Sequence, residues 1–324
     1  MVIRVGILGA SRIAPAAVIA PAKDNSDFLV IAVAARERHR AEAYAREHGI
    51  PGVMADYATL VTHPGVDLVY NPLPPALHVP WTLAALNAGK AVLLEKPFAM
   101  NAAEAREMVA ASERTGRPLI EAFHYRYHNV MRRAVEIARS GELGRPTEAE
   151  AMFQFPIAFD PGELRWIAPV GGGALMDMGC YPLHALRSVI GGEPEIVSAE
   201  CDIQHGVDAA AKAQMIFPGG IRAKMSCSMM PESFGAFLRL AGERGTLEIV
   251  NFLAPQYGYS FKVTVDGKTR EEKPDGPSTY AAQLAAVADV LMNGATPLTG
   301  GADAIGNMAA IDAIYAKAGY VRGT

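Results

Sequence analysis

The sequence predicts an α/β protein: a doubly wound parallel sheet first, then an α+β domain built on an antiparallel sheet. Three observations lead there. Up to about residue 120, short β-rich runs alternate with helical patterns, the rhythm of βαβ units. Beyond about residue 124 that rhythm gives way to successive β-like runs divided by turn signals. A chain of 324 residues also exceeds what one hydrophobic core usually organises, which favours two domains, here 1–124 and 125–324.

Taken in order, "VIRVGIL" reads as a strand and Ser11 to Ala20 as a helix. "FLVIAVAA" is a second strand, followed by the helix "RHRAEAYAREHG", which Gly49 ends. "VDLVYN" is a third, with a helix from Leu77 to Ala88 behind it. "AVLLE" is a fourth, and its helix opens at Asn101 with Glu104 three residues on, as in a capping box. "PLIEAF" is the fifth. A helix over Tyr127–Ser140 then leads to "TEAEAMFQF" and the glycine-rich opening of another helix, "VGGGALMDMG". The runs "EIVSAECDI", "AKAQMIF", "GIRAKMSCSM", "FLRLAGE", "TLEIV" and "YSFKVTV" follow. Pro218-Gly219-Gly220 and Asp266-Gly267 mark hairpin turns between them. Helices over Tyr280–Met292 and Ala302–Ala318 complete the pattern.

A net charge of −4 gives no general attraction to nucleic acid or to an anionic membrane. No run approaches eighteen apolar residues, and the first residues lack a signal-peptide pattern. Cys180, Cys201 and Cys227 are odd in number and lack metal-ligand spacing, so a reducing, cytoplasmic setting is expected and no metal site.

In doubly wound sheets the ligand crevice lies at the carboxyl ends of the strands. The first strand runs into Gly9-Ala10-Ser11-Arg12-Ile13-Ala14, a dinucleotide fingerprint that keeps the first glycine and a permitted alanine but replaces the middle glycine with Ser11. Gly9, Ser11, Arg12 and Ile13 are thus candidate cofactor residues, with the phosphates resting on a helix N-terminus. After the second strand the first charged group is Arg36, with Arg40 one turn on. Two guanidinium groups suit a 2′-phosphate, so NADP is expected over NAD, with Glu37 the alternative ribose ligand.

The fourth strand ends in Glu95-Lys96-Pro97. Proline fixes the backbone beyond the lysine, and Glu95 is placed to hold its ammonium or a ribose hydroxyl. Farther on, Asp177, Tyr181 and His184 fall at i, i+4 and i+7, one face of a helix. Oxidising C–OH by hydride loss requires an acceptor for the hydroxyl proton. A phenol with pKa about 10 is a poor base near neutrality. An ammonium roughly 4 Å away contributes about 4 kcal/mol at an effective dielectric of about 20, enough to bring that pKa down by a few units. Lys96 and Tyr181 make such an acid–base pair, with Asp177 orienting the substrate; His184 is the alternative acceptor. Arg165, Trp166 and Tyr280, together with His184, are the expected substrate contacts from the second domain.

The segments "GILGASRIAP", "VYNPLPPALHVPWTLAALNAGKAVLLEKPFAMNAAEA", "EAFHYRYH" and "GGGALMDMGCYPLHALR" resemble the glucose-fructose oxidoreductase / inositol dehydrogenase / rhizopine-catabolism (Gfo/Idh/MocA) family, and the resemblance spans nearly the whole chain. It implies an N-terminal Rossmann domain and a C-terminal α+β domain with a large open, mainly antiparallel sheet, used for homodimer or homotetramer contacts. It implies a catalytic role for Lys96, with Asp177 and Tyr181 in the family's D-x-G-x-[HY] positions. Tyrosine there, and Arg36 after the second strand, resemble the branch of dihydrodiol and NADP-dependent D-xylose dehydrogenases. Asn71, Leu73, Pro74 and His78 match a loop beside the cofactor, and Arg126 a position near the nicotinamide. Pro75 departs from the family's usual asparagine, so that polar contact is not carried over. The expectation is an NADP-dependent oxidoreductase acting on a sugar, polyol or carbonyl compound. The alternatives are a non-catalytic NADP-binding regulator and a reductase of a C=N or conjugated substrate.

Overall fold

The computed structural model describes residues 2–322. Among them the strands form two sheets, and the chain divides into two compact units: Met1–His124 with Tyr280–Ile305, and Tyr125–Thr279 with Gly306–Thr324. This differs from a division into 1–124 and 125–324 in one segment, since residues 280–305 belong with the first unit. The reason is apolar burial. Leu284, Val287, Ala288 and Val290 join the core cluster of Ile3, Val5, Ile7, Tyr70, Leu93 and Ile120.

The first unit's sheet contains β1 (Ile3–Leu8), β2 (Phe28–Ala34), β3 (Gly52–Val53), β4 (Leu68–Asn71), β5 (Ala91–Leu94) and β6 (Leu119–Glu121). All are parallel, in the order β3-β2-β1-β4-β5-β6. Every residue of β4, β5 and β6 is buried, as parallel strands covered by helices on both faces require. The two-residue β3 and the helix Tyr57–Thr62 lack a sequence pattern long enough to announce them. The capping box forms with a small displacement: Asn101 Oδ1 accepts the Glu104 amide at 2.9 Å, while Glu104 reaches the amide of Met100 at 3.0 Å.

The second unit holds β7 (Pro146–Gln154), β8 (Glu195–Gln204), β9 (Val207–Phe217), β10 (Ile221–Ser228), β11 (Gly235–Gly242), β12 (Gly245–Val250), β13 (Ser260–Val265) and β14 (Lys268–Glu271), in the order β14-β13-β12-β11-β7-β10-β9-β8. Every pairing is antiparallel except β7 with β10. Alternation from Ala209 on in β9 and along β10 turns Ala211, Ala213, Met215, Ala223, Met225 and Cys227 inward. Pro218-Gly219-Gly220 joins β9 to β10 and Asp266-Gly267 joins β13 to β14. The helix expected from Tyr127 starts later, over Asn129–Ser140, because His128 caps it through the amide of Val130 at 3.1 Å. No helix of the described residues is long and apolar enough to cross a membrane.

Residues 299–300 dock the last part of the first unit onto β6. Thr299 Oγ1 donates to Glu121 O at 2.6 Å, and Gly300, at φ +109°, would carry a Cβ 2.6 Å from Leu119 O. Gly300→Ala is therefore expected to cost about 2–3 kcal/mol, read as a lower midpoint in denaturant titration. An unchanged midpoint would show that this loop is not docked as described.

Candidate active site

The cofactor-side candidates follow from strand ends. Gly9 continues β1, donating its amide to Ala34 O at 2.7 Å, and takes φ +85°. A Cβ there would approach Leu73 Cδ2 to 3.1 Å, in a left-handed conformation that glycine adopts without strain. Residues 12–13 form a bend, and the helix begins at Pro15, with a π-type stretch Pro15–Ile19 before Ala20–Lys23. This is later than the expected Ser11. Ser11 Oγ accepts the Ala14 amide at 3.2 Å, and Pro15 has no N–H to leave unpaired. Ile13 O takes the amides of Ala16 and Ala17. The concave part of the turn is thus Gly9 to Ile13, and the Ser11 hydroxyl keeps its own proton to donate. Arg12 is exposed and Ile13 half-buried.

At the end of β2, Arg36 is 83% exposed, 4.0 Å from Glu37, and Arg40 is exposed on the following helix. Both guanidinium groups lie close enough to Tyr57 to pull its phenol pKa down against the larger upward effect of burial. The Tyr57 ring meets Trp81 edge-on at 5.1 Å. Tyr57 carries no sequence signal, as it opens a short helix after the Asp56 cap.

Asn71, His78 and Glu95 are buried and hold the neighbouring loops. Asn71 Oδ1 accepts the Leu73 amide at 3.3 Å and Asn71 Nδ2 reaches Thr82 at 3.3 Å. His78 Nε2 lies 2.7 Å from Leu73 O and its Nδ1 3.1 Å from Phe98 O; the neutral ring donates its single N–H to one of these two carbonyls, between the Pro72–Pro74 loop and the segment after Lys96. His78 thus supports the cofactor loop from behind. Glu95 receives the Tyr70 hydroxyl at 2.6 Å and the Lys96 amide at 3.3 Å. A tyrosine between the apolar residues and the asparagine of the buried strand "LVYN" was the available sign that a partner is buried nearby. The Lys96–Pro97 peptide is cis. Lys96 is half-buried, and its charge reaches both His78 and His124. Tyr280 is placed here, its ring 4.2 Å from that of His124, so it belongs to this unit and not to the second as expected.

In the second unit, Gly171–Gly173 turn into a π-type stretch, Leu175–Gly179, that runs on as the helix Cys180–Ile190. A wider first turn means that Asp177 does not follow the regular spacing that the sequence suggests. Asp177 Oδ2 pairs with Arg165 Nε at 2.9 Å, and Arg165 also reaches Glu163 at 3.3 Å. Tyr181 is 7% exposed, edge-on to Phe153 at 5.6 Å and tilted to Tyr125 at 5.8 Å. His184 is buried, its Nδ1 2.5 Å from the Tyr125 hydroxyl. That geometry makes His184 Nδ1 a partner of the Tyr125 hydroxyl. Trp166, expected to touch substrate, donates its indole N–H to Ala158 O at 3.2 Å, and its ring meets Phe159 and His205. Arg126 is half-buried on the turn His124–Tyr127. Among the described residues no group of three or more histidine, cysteine or acidic side chains is arranged to hold a metal ion.

Comparison with known proteins adds a second line of observation. Residues 3–123 match the model of an oxidoreductase family with an NAD-binding Rossmann fold, GFO_IDH_MocA, and residues 131–248 match the GFO/IDH/MocA C-terminal domain. D-xylose 1-dehydrogenase (NADP(+)) 2 of Haloferax volcanii is 32% identical over 97% of this chain and 96% of its own. Two solved structures superpose with a TM-score of 0.90, each covering 98% of both chains: aldose-aldose oxidoreductase from Caulobacter crescentus with glycerol, 27% identical, and KijD10, a 3-ketoreductase from Actinomadura kijaniata with NADP and TDP-benzene, 26% identical.

The buried imidazoles give an acid limb with a definite sign. Burial pushes His78 down to about 4 and His124 down to about 3, and the Lys96 charge adds to both. Each is neutral in the fold at pH 7. Below pH 6.5 the unfolded chain binds protons that the native state refuses, so stability falls as pH drops from 6.5 through the folded values. Each residue contributes on the order of 2–3 kcal/mol to that loss by pH 4. His124→Gln is expected to flatten the stability profile between pH 6.5 and 4, followed by denaturant titration across that range. An unchanged profile would mean that His124 is protonated in the fold.

Proposed function

The chain belongs to the Gfo/Idh/MocA oxidoreductase family, and on that premise we propose that it is an NADP-dependent oxidoreductase of a sugar, polyol or related hydroxyl or carbonyl compound. The observation that carries the cofactor choice is the end of β2, where two exposed guanidinium groups, Arg36 and Arg40, both act on Tyr57 and no acid precedes Arg36. That cationic pair fits a 2′-phosphate, and the left-handed Gly9 leaves the close approach that a pyrophosphate needs. The named activity of the Haloferax relative and the NADP in the KijD10 structure support the same choice.

When bound, the cofactor supplies or receives the hydride. This chain's residues handle binding and the proton. Arg36 and Arg40 hold the 2′-phosphate, and the Ser11 hydroxyl donates to the pyrophosphate. Asn71 and His78 fix the Pro72–Pro74 loop against which the cofactor rests. Tyr181 Oη takes the substrate hydroxyl proton on oxidation and returns it on reduction, and the Lys96 ammonium lowers the phenol pKa to make both directions accessible. Asp177, held by Arg165, accepts a hydrogen bond from a substrate hydroxyl and so orients the carbon that gains or loses hydride. In this reading the chain also self-associates, as a homodimer or homotetramer, through the β7–β14 sheet.

The test is a panel of aldoses, polyols and ketones with NADP and with NAD, followed by the absorbance of reduced nicotinamide. Turnover with NADP is expected, reduced about 10²–10⁴-fold by Tyr181→Phe and by Lys96→Ala. Arg36→Ala is expected to cut the preference for NADP over NAD by about 10–100-fold. Tight NADPH binding without turnover of any panel compound would defeat the enzymatic reading. An unaltered preference in Arg36→Ala would defeat the account of the 2′-phosphate.

A further inference from the structure

Asp208 lies outside every motif that the sequence singles out. It sits on β9 in the second unit, completely buried. Its Oδ2 accepts the Leu175 amide at 2.7 Å and its Oδ1 accepts the Tyr315 hydroxyl at 2.9 Å. The guanidinium of Arg322 stands 5.0 Å from the centre of the Tyr315 ring; burial pushes the Asp208 carboxyl up to about 6, while the Leu175 amide, the Tyr315 hydroxyl and the Arg322 charge pull toward the ionised form. A buried carboxylate is costly unless donors surround it, and here they do.

The same Oδ1 fills the space that a side chain at residue 173 would need. A Cβ on Gly173 would collide with it, and Gly173 stands at φ +121°. Gly172 is boxed in as well, its Cβ position 2.8 Å from Arg165 O and from the backbone of Ile167. Gly173 is the joint between both members of the ion pair described above. Its N–H donates to Arg165 O at 2.9 Å, and its carbonyl accepts the Asp177 amide at 3.0 Å. Asp208 therefore grips the turn from below at two points, the Leu175 amide and the face of Gly173.

We propose that Asp208 is a positioning residue for substrate: by seating Gly173 and the first turn at Leu175, it sets the geometry of the Arg165–Asp177 pair. The role rests on the reading that Asp177 orients the substrate. Asp208 touches neither substrate nor cofactor and acts through Gly173. Asp208→Asn keeps the shape but turns one of the two acceptor oxygens into a donor and removes the charge, so the turn loses its fixed seat while the core stays filled.

The test is a double-mutant cycle on turnover, using NADP and the panel compound with the highest kcat/KM. Asp208→Asn is expected to raise KM about tenfold or more in the unaltered background, with a smaller effect on kcat, and to change KM less than about threefold when Asp177 is already Asn. Gly173→Ala, which pushes the carboxylate away, is expected to raise KM likewise and to be non-additive with Asp208→Asn. Where Asp208→Asn fails to fold, Tyr315→Phe removes one of the carboxylate's donors and takes its place in the cycle. Effects that multiply would mean a general structural role and overturn the proposal, as would an unchanged KM in Asp208→Asn when Asp177→Asn is impaired. If Asp177→Asn turns over as the unaltered protein does, the orienting reading fails first and the positioning role with it.

Discussion

Every group assigned to the cofactor depends on one constraint: six parallel strands end at the same edge. Parallel pairing forces each return through a helix on a face of the sheet, so the loops after β1, β2, β4, β5 and β6 all emerge together. The ladder runs one residue past the strands. Glu95 donates to Asn71 O at 3.0 Å and Ala122 to Leu94 O at 2.8 Å, so the polar residues begin on backbone that is still fixed. Gly9, Glu95 and Ala122 are therefore held by the sheet itself, and Arg36, Pro72–Pro74, Lys96 and His124 follow within three residues of a strand end. The apolar strands beneath them supply the stability, which leaves the edge free to be polar.

That edge is also arranged electrostatically. His78 and His124, the two imidazoles that feel the Lys96 charge, are buried and neutral, so they add no competing cation beside it. Burial likewise keeps Tyr70 protonated, and as a donor it occupies one oxygen of Glu95. The outcome is an ammonium among groups that stay neutral through the physiological range, together with one carboxylate already engaged.

Much of this was legible in the residues. Strand–helix alternation gave the parallel sheet, because period and turn chemistry are local properties that survive in the sequence. Asn101 with Glu104, the Asp266-Gly267 turn and Lys96 at the end of β5 were visible for the same reason. What escaped depends on contacts between distant segments. Nothing local marks Asp208 or Tyr57, each of which matters through a partner far away in the chain. Nor does the sequence announce that the Trp166 indole N–H donates to Ala158 O or that His184 Nδ1 meets the Tyr125 hydroxyl. The regular spacing of Asp177 and Tyr181 misled for a different reason: an i→i+4 rule presupposes an α-turn, and the chain makes a wider one there.

The first unit is discontinuous in sequence, and that has a consequence for how the chain is made. All its strands have been synthesised by Glu121, yet Leu284, Val287, Ala288 and Val290, which close part of its core, arrive only after the whole second sheet has left the ribosome. Until then the nascent sheet presents an uncovered greasy flank around Ile3, Tyr70 and Ile120, a natural client for a chaperone. A fragment cut after residue 124 would keep that flank bare permanently, so the two halves of this chain are poor candidates for separate expression.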